Sequence, residues 1–138
     1  MQTYVDGTAL SRFLEGAAEH AEWVAWAAEH DGSLVTSELA LSELRREAEP
    51  RGIEARQTAR DVADRLTVVR FSDQCLATAA MASSVLPPFA ALHLGVAVAE
   101  PGVSVVATYD RLLAQVAVIY GVEVVSPGRA PRWWEGLA

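Results

Sequence analysis

The chain has 138 residues, 51% of them hydrophobic, and a formal charge of −7. This is enough apolar content for a packed core and argues against disorder. The acidic balance excludes attachment to nucleic acid by bulk charge alone. All eleven basic residues are arginine, so a Walker-type phosphate loop, Schiff-base chemistry and a lysine general base are excluded too. The alanine-rich, lysine-free composition suggests a GC-rich bacterial source.

Short β-branched runs alternate with helical patterns along the chain. Thr3–Val5 predicts a first strand, with Thr8 capping a helix that starts near Ala9. Glu15–His30 reads as amphipathic helix, with Trp23 and Trp26 on one face. Ser33–Thr36 predicts a second strand, and Ser37 caps a helix to about Glu49, broken by Pro50-Arg51-Gly52. A charged helix follows over Ile53–Arg65, then a third strand over Leu66–Phe71, then a helix from Ser72 to about Val85. The stretch Leu86–Ala99 reads as a nearly all-apolar helix started by Pro87-Pro88. Val103–Thr108 is a fourth strand, Asp110 begins a helix to Tyr120, and Val122–Val125 is a fifth strand. The pattern predicts one α/β domain over residues 1–138, with a mostly parallel sheet and helices on both faces.

Several features have plain structural readings. The lone Cys75 permits no internal disulfide, reads as a small buried hydrophobe and fits a reducing compartment. The first ten residues lack the basic region of a signal peptide, and no stretch reaches the roughly 20 uninterrupted apolar residues of a membrane span. The expectation is a cytoplasmic protein. Trp23, Trp26, Trp133 and Trp134 read as core or interface anchors. Seven arginines fall between Arg45 and Arg70 with five acids among them, a solvated helix face with pairs such as Asp61–Arg65. Within that run, Arg45 and Arg46 are candidates for contacting phosphate groups.

In open parallel sheets, sites form beyond the carboxyl ends of the strands. Asp6 follows the first strand directly, and Asp110 follows the fourth after one tyrosine. If those strands are neighbours the two acids converge, and Glu43 can reach them from the helix after the second strand. Gathered carboxylates repel unless a cation is bound. All-oxygen ligands favour Mg²⁺ or Mn²⁺ over zinc, with Thr8 and Thr108 placed to add hydroxyl hydrogen bonds behind them. The plainer readings are a turn residue for Asp6, a helix cap for Asp110 and a solvated acid for Glu43.

The ordered motifs "YVDGTAL", "TSELALSELRR", "FAALHLGVAVA" and "VVATYDRLLAQVAVIYGVEVV" resemble those of PIN-domain ribonucleases of the VapC toxin type. The resemblance covers nearly the whole chain. It implies a PIN-like three-layer fold and Mg²⁺- or Mn²⁺-dependent endoribonuclease activity on structured RNA such as tRNA or rRNA. It also implies a homodimer neutralised by a VapB-type antitoxin. It marks Asp6, Glu43 and Asp110 as the catalytic and metal-binding acids. The family's third motif usually reads Asp-Ala-hydrophobic-His-Leu. Aligned through Leu92-His93-Leu94, that Asp falls on Ala90. The chain is therefore expected to be inactive or strongly impaired, through either an engineered substitution or a natural loss. His93 belongs to the motif but reads as a hydrogen-bonded core histidine. A catalytically dead PIN-fold binding module acting through partner association is the alternative. A phosphoacceptor receiver domain is disfavoured, because it needs a lysine.

Overall fold

The computed structural model describes residues 1–136. Five strands alternate with seven helices: β1 (Gln2–Val5), α1 (Gly7–Leu10), α2 (His20–Glu29), β2 (Leu34–Ser37), α3 (Glu38–Ala48), α4 (Ile53–Arg65), β3 (Thr67–Val69), α5 (Asp73–Ala82), α6 (Pro88–Ala99), β4 (Val103–Ala107), α7 (Arg111–Ile119) and β5 (Glu123–Val125). The strands form one sheet in the order β3-β2-β1-β4-β5. Every pairing is parallel. The expected α/β fold is present, with β1 at the centre and β4 beside it.

Alternation along the strands feeds two cores. Val5, Leu34 and Ala107 face a cluster with Leu10, Leu14, Trp23, Leu41 and Leu44, drawn from α1–α4 and the segments between them. Tyr4, Val35 and Val106 face the other way, against Leu94, Val96 and Leu113 of α6 and α7. Each fully buried aliphatic side chain contributes about 1.5–3 kcal/mol, so the sheet is covered on both faces as parallel sheets require. Cys75 is buried between α5 and α6, and burial pushes its thiol up from the usual range. No helix among the described residues is long and apolar enough to cross a membrane.

Four local expectations need correction. Asp6, and not Thr8, caps α1, accepting from the Ala9 N–H, because the chain turns into the helix one residue after β1. The expected helix from Glu15 begins only at His20. Gly16 and Glu19 adopt left-handed backbone (φ 88° and 57°), which breaks the periodic pattern. The end of the helix expected to reach Val85 lies at Ala82, since Ser83 closes it before Pro87-Pro88. The Asp61–Arg65 pair does not form among the described residues. Asp61 accepts from Gln57 at 2.9 Å, and the Arg65 guanidinium lies 5.5 Å over the Phe13 ring.

Candidate active site

Asp6 leaves β1 into the first turn of α1 and is buried. Its Oδ1 accepts from the Ala9 N–H at 2.9 Å and from the Thr8 hydroxyl at 2.7 Å, and its Oδ2 accepts from the Thr108 hydroxyl at 2.5 Å. The hydroxyls in turn accept backbone N–H groups of the β4–α7 connection, Thr8 from Tyr109 at 2.8 Å and Thr108 from Asp110 at 3.0 Å. The ends of β1 and β4 are thereby knitted together through one carboxylate. Burial pushes the Asp6 carboxyl above its ordinary range, against the opposing pull that His93 exerts only when its imidazole is protonated and that of the Thr108, Thr8 and Ala9 hydrogen bonds. No cationic side chain forms an ion pair with Asp6 among the described residues.

Glu43 reaches the same edge from α3. Its side chain lies against Gly7, where any Cβ would collide with the carboxylate. That side chain is one-third exposed, and its Oε1 meets His93 Nε2 at 2.6 Å. His93 Nδ1 lies 2.7 Å from the Tyr4 hydroxyl, which lies 2.7 Å from Ser37 Oγ. Ser37 Oγ also accepts the Ala40 N–H at 3.1 Å, capping α3. With neutral His93, one direction satisfies every atom. Ser37 O–H donates to Tyr4, Tyr4 O–H to Nδ1, and Nε2–H to the Glu43 carboxylate. Burial holds the Tyr4 phenol well above its usual value, so it remains a donor.

Asp110 is half-buried and caps α7, its Oδ1 accepting from the Leu113 N–H at 3.1 Å. Ala90 is buried in the first turn of α6, one turn before His93. This helix start has no side-chain cap and no acid in its first turn. Sequence reasoning passed over Gly7, which makes room for Glu43, and Tyr4, which joins Ser37 to His93. The Asp6-Gly7 step signalled the first. The second depends on a 33-residue and an 89-residue separation that no local pattern carries.

The donor chemistry of Asp6, Glu43 and Asp110 suits a hard divalent cation, and Asp6 is a buried carboxylate without a cation beside it. The arrangement falls short in number. Among the described residues, no three His, Cys, Asp or Glu side chains are gathered closely enough to hold one ion, and Ala90 contributes no ligand.

A search of curated proteins finds no match. Comparison with known families matches residues 3–126 to the PIN domain. The match spans most of the chain, and with the parallel sheet and the acids at its edge it shows that the protein belongs to the PIN-domain family of generally metal-dependent nucleases.

Proposed function

We propose that the chain is a ribonuclease of the VapC toxin type in a disarmed form, neutralised in its active form by a VapB-type antitoxin. The observation that carries this reading is Asp6. It is a buried carboxylate at the end of the central strand, held by two threonine hydroxyls and lacking a cationic partner. Glu43 from α3 and Asp110 at the start of α7 supply two further carboxylates toward this strand edge. In a form that carries the fourth carboxylate, Asp6, Glu43 and Asp110 would help hold a Mg²⁺ or Mn²⁺, which would supply an activated water and neutralise charge developing on an RNA phosphate. The chain's own residues do the rest. Thr8 and Thr108 fix both oxygens of Asp6. Gly7 and His93 fix Glu43 from two sides. The backbone of α7 fixes Asp110.

Ala90 is the weak point of this centre, because the expected fourth carboxylate is missing and the remaining donors do not close around one ion. The decisive comparison is between this chain and its Ala90→Asp version, on a pool of tRNA and rRNA with Mg²⁺ or Mn²⁺ and EDTA controls. The expected result is cleavage by Ala90→Asp that is blocked by EDTA, with the parent at least about 100-fold slower. Equal cleavage by both overturns the assignment of Ala90. Absence of cleavage by both favours the second reading, a PIN-fold module acting by partner association, which the incomplete donor set already supports.

A further inference from the structure

Phe89 is the second residue of α6. Its neighbours Ala90 and Ala91 are buried, yet Phe89 is 56% exposed. It stands on a ridge between two hollows of about 530 and 650 Å³. Three residues line both hollows: Phe89, Glu43 and Arg46. A flat apolar ring, the carboxylate that the family resemblance marks as catalytic, and an arginine thus share one crest. Arg46 also differs from its neighbours. Arg12 is paired with Glu19 at 3.3 Å, Arg45 with Glu38 at 3.7 Å and Arg51 with Glu47 at 3.8 Å. Arg46 has no carboxylate within ion-pair distance among the described residues. Pro87 and Pro88 precede the ring and limit the backbone motion that binding would have to freeze.

We infer that Phe89 and Arg46 form a subsite for unpaired RNA, Phe89 stacking on a nucleobase while Arg46 holds the adjoining phosphate over Glu43. The inference rests on the nuclease reading above and specifies its substrate as single-stranded at the point of contact. The two hollows then receive the nucleotides on either side of the crest. A base within a duplex keeps its faces covered by its neighbours, so it cannot offer one to Phe89. Of the two adjacent arginines, Arg45 lies 3.7 Å from Glu38 in an exposed pair, whereas Arg46 has no carboxylate partner among the described residues.

The test is binding of a fluorescently labelled oligouridylate, alone and annealed to oligoadenylate, measured by anisotropy in EDTA so that no cleavage intervenes. The chain as it stands is expected to prefer the single strand. Phe89→Ala is expected to weaken that binding roughly 5- to 100-fold, with Phe89→Tyr retaining it. Arg46→Gln is expected to flatten the salt dependence by about 0.7 in the log–log slope, the share of one single-strand phosphate. No measurable binding by the parent, unchanged affinity in Phe89→Ala, or an equal loss in Phe89→Tyr overturns the subsite. So does a change of oligomeric state on Phe89→Ala without a change in RNA affinity, which makes the ring a protein contact. If oligouridylate binds with these dependences but Ala90→Asp cuts no RNA, the nuclease reading alone fails. If Ala90→Asp cuts RNA and Phe89→Ala leaves its binding untouched, only this inference fails.

Discussion

Asp6 is a carboxylate sealed inside the protein with hydrogen bonds and no counter-charge. Its carboxyl is raised by burial, so between the ordinary Asp value and the raised one the unfolded chain ionises first. Stability attributable to this residue is therefore fully present below the ordinary value, near pH 4, and is lost as pH rises through the raised one. Asp6→Asn keeps an acceptor for the Ala9 N–H and removes the charge. In EDTA it is expected to be more stable than the parent at pH 7.5, because the buried charge is gone. The difference should close toward pH 4. Urea melts at both pH values check this, and a parent that is the more stable at pH 7.5 would show that the carboxylate's hydrogen bonds outweigh its desolvation. The position of Asp6 after β1 was legible in the sequence. Its burial and its Thr108 partner were not, since Thr108 is 102 residues away.

At the scale of elements, α6 shows how a helix tolerates a bare start. Caps matter most to helices that lack other support. In α6 seven residues from Ala90 to Ala97 are buried, so packing holds the helix although its first turn carries no acid. The close partner is α5. A Cβ on Gly95 would collide with the Cys75 carbonyl oxygen and press on its sulfur, so the small residue sets how near the two helices lie. Gly95→Ala is expected to destabilise by about 1–3 kcal/mol through overpacking against backbone that cannot yield. This is readable as a lower urea midpoint with an unchanged slope. An unchanged midpoint would mean that α5 shifts freely. Helix caps at Ser37, Ser72 and Asp110 were legible because a cap is a local event. The late start of α2 was not, because left-handed backbone at Glu19 contradicts the residue's own preference and is imposed by its surroundings. The Glu19 side chain bonds to both Arg12 and Arg129, at 3.3 and 2.9 Å.

For the molecule as a whole, the strand order puts β1 and β4 side by side. That single adjacency brings Asp6 to Thr108 and the start of α7, while β2 delivers α3 and Glu43 from the other side. The consequence is thermodynamic as well as chemical. A ligand that binds only the folded state stabilises it by about 2.7 kcal/mol at 100 times its dissociation constant. Ala90→Asp adds a fourth carboxylate, so in EDTA it is expected to melt below the parent. With millimolar Mn²⁺ it is expected to gain more in Tm than the parent does. Equal shifts in the two proteins would remove position 90 from any ion site.

The sequence by itself determined the order and type of the elements, the caps at Ser37, Ser72 and Asp110, and the acids at the strand ends, because periodicity, capping and strand-end position depend on residues a few places apart. Tertiary structure alone decided that Glu43 rests against Gly7, that Ser37, Tyr4 and His93 form one chain of hydrogen bonds behind it, and that Phe89 and Arg46 share a crest with it. These contacts join residues from different strands and helices. Their geometry depends on sheet order and on how closely helices pack, and neither quantity is encoded within any short stretch of the chain.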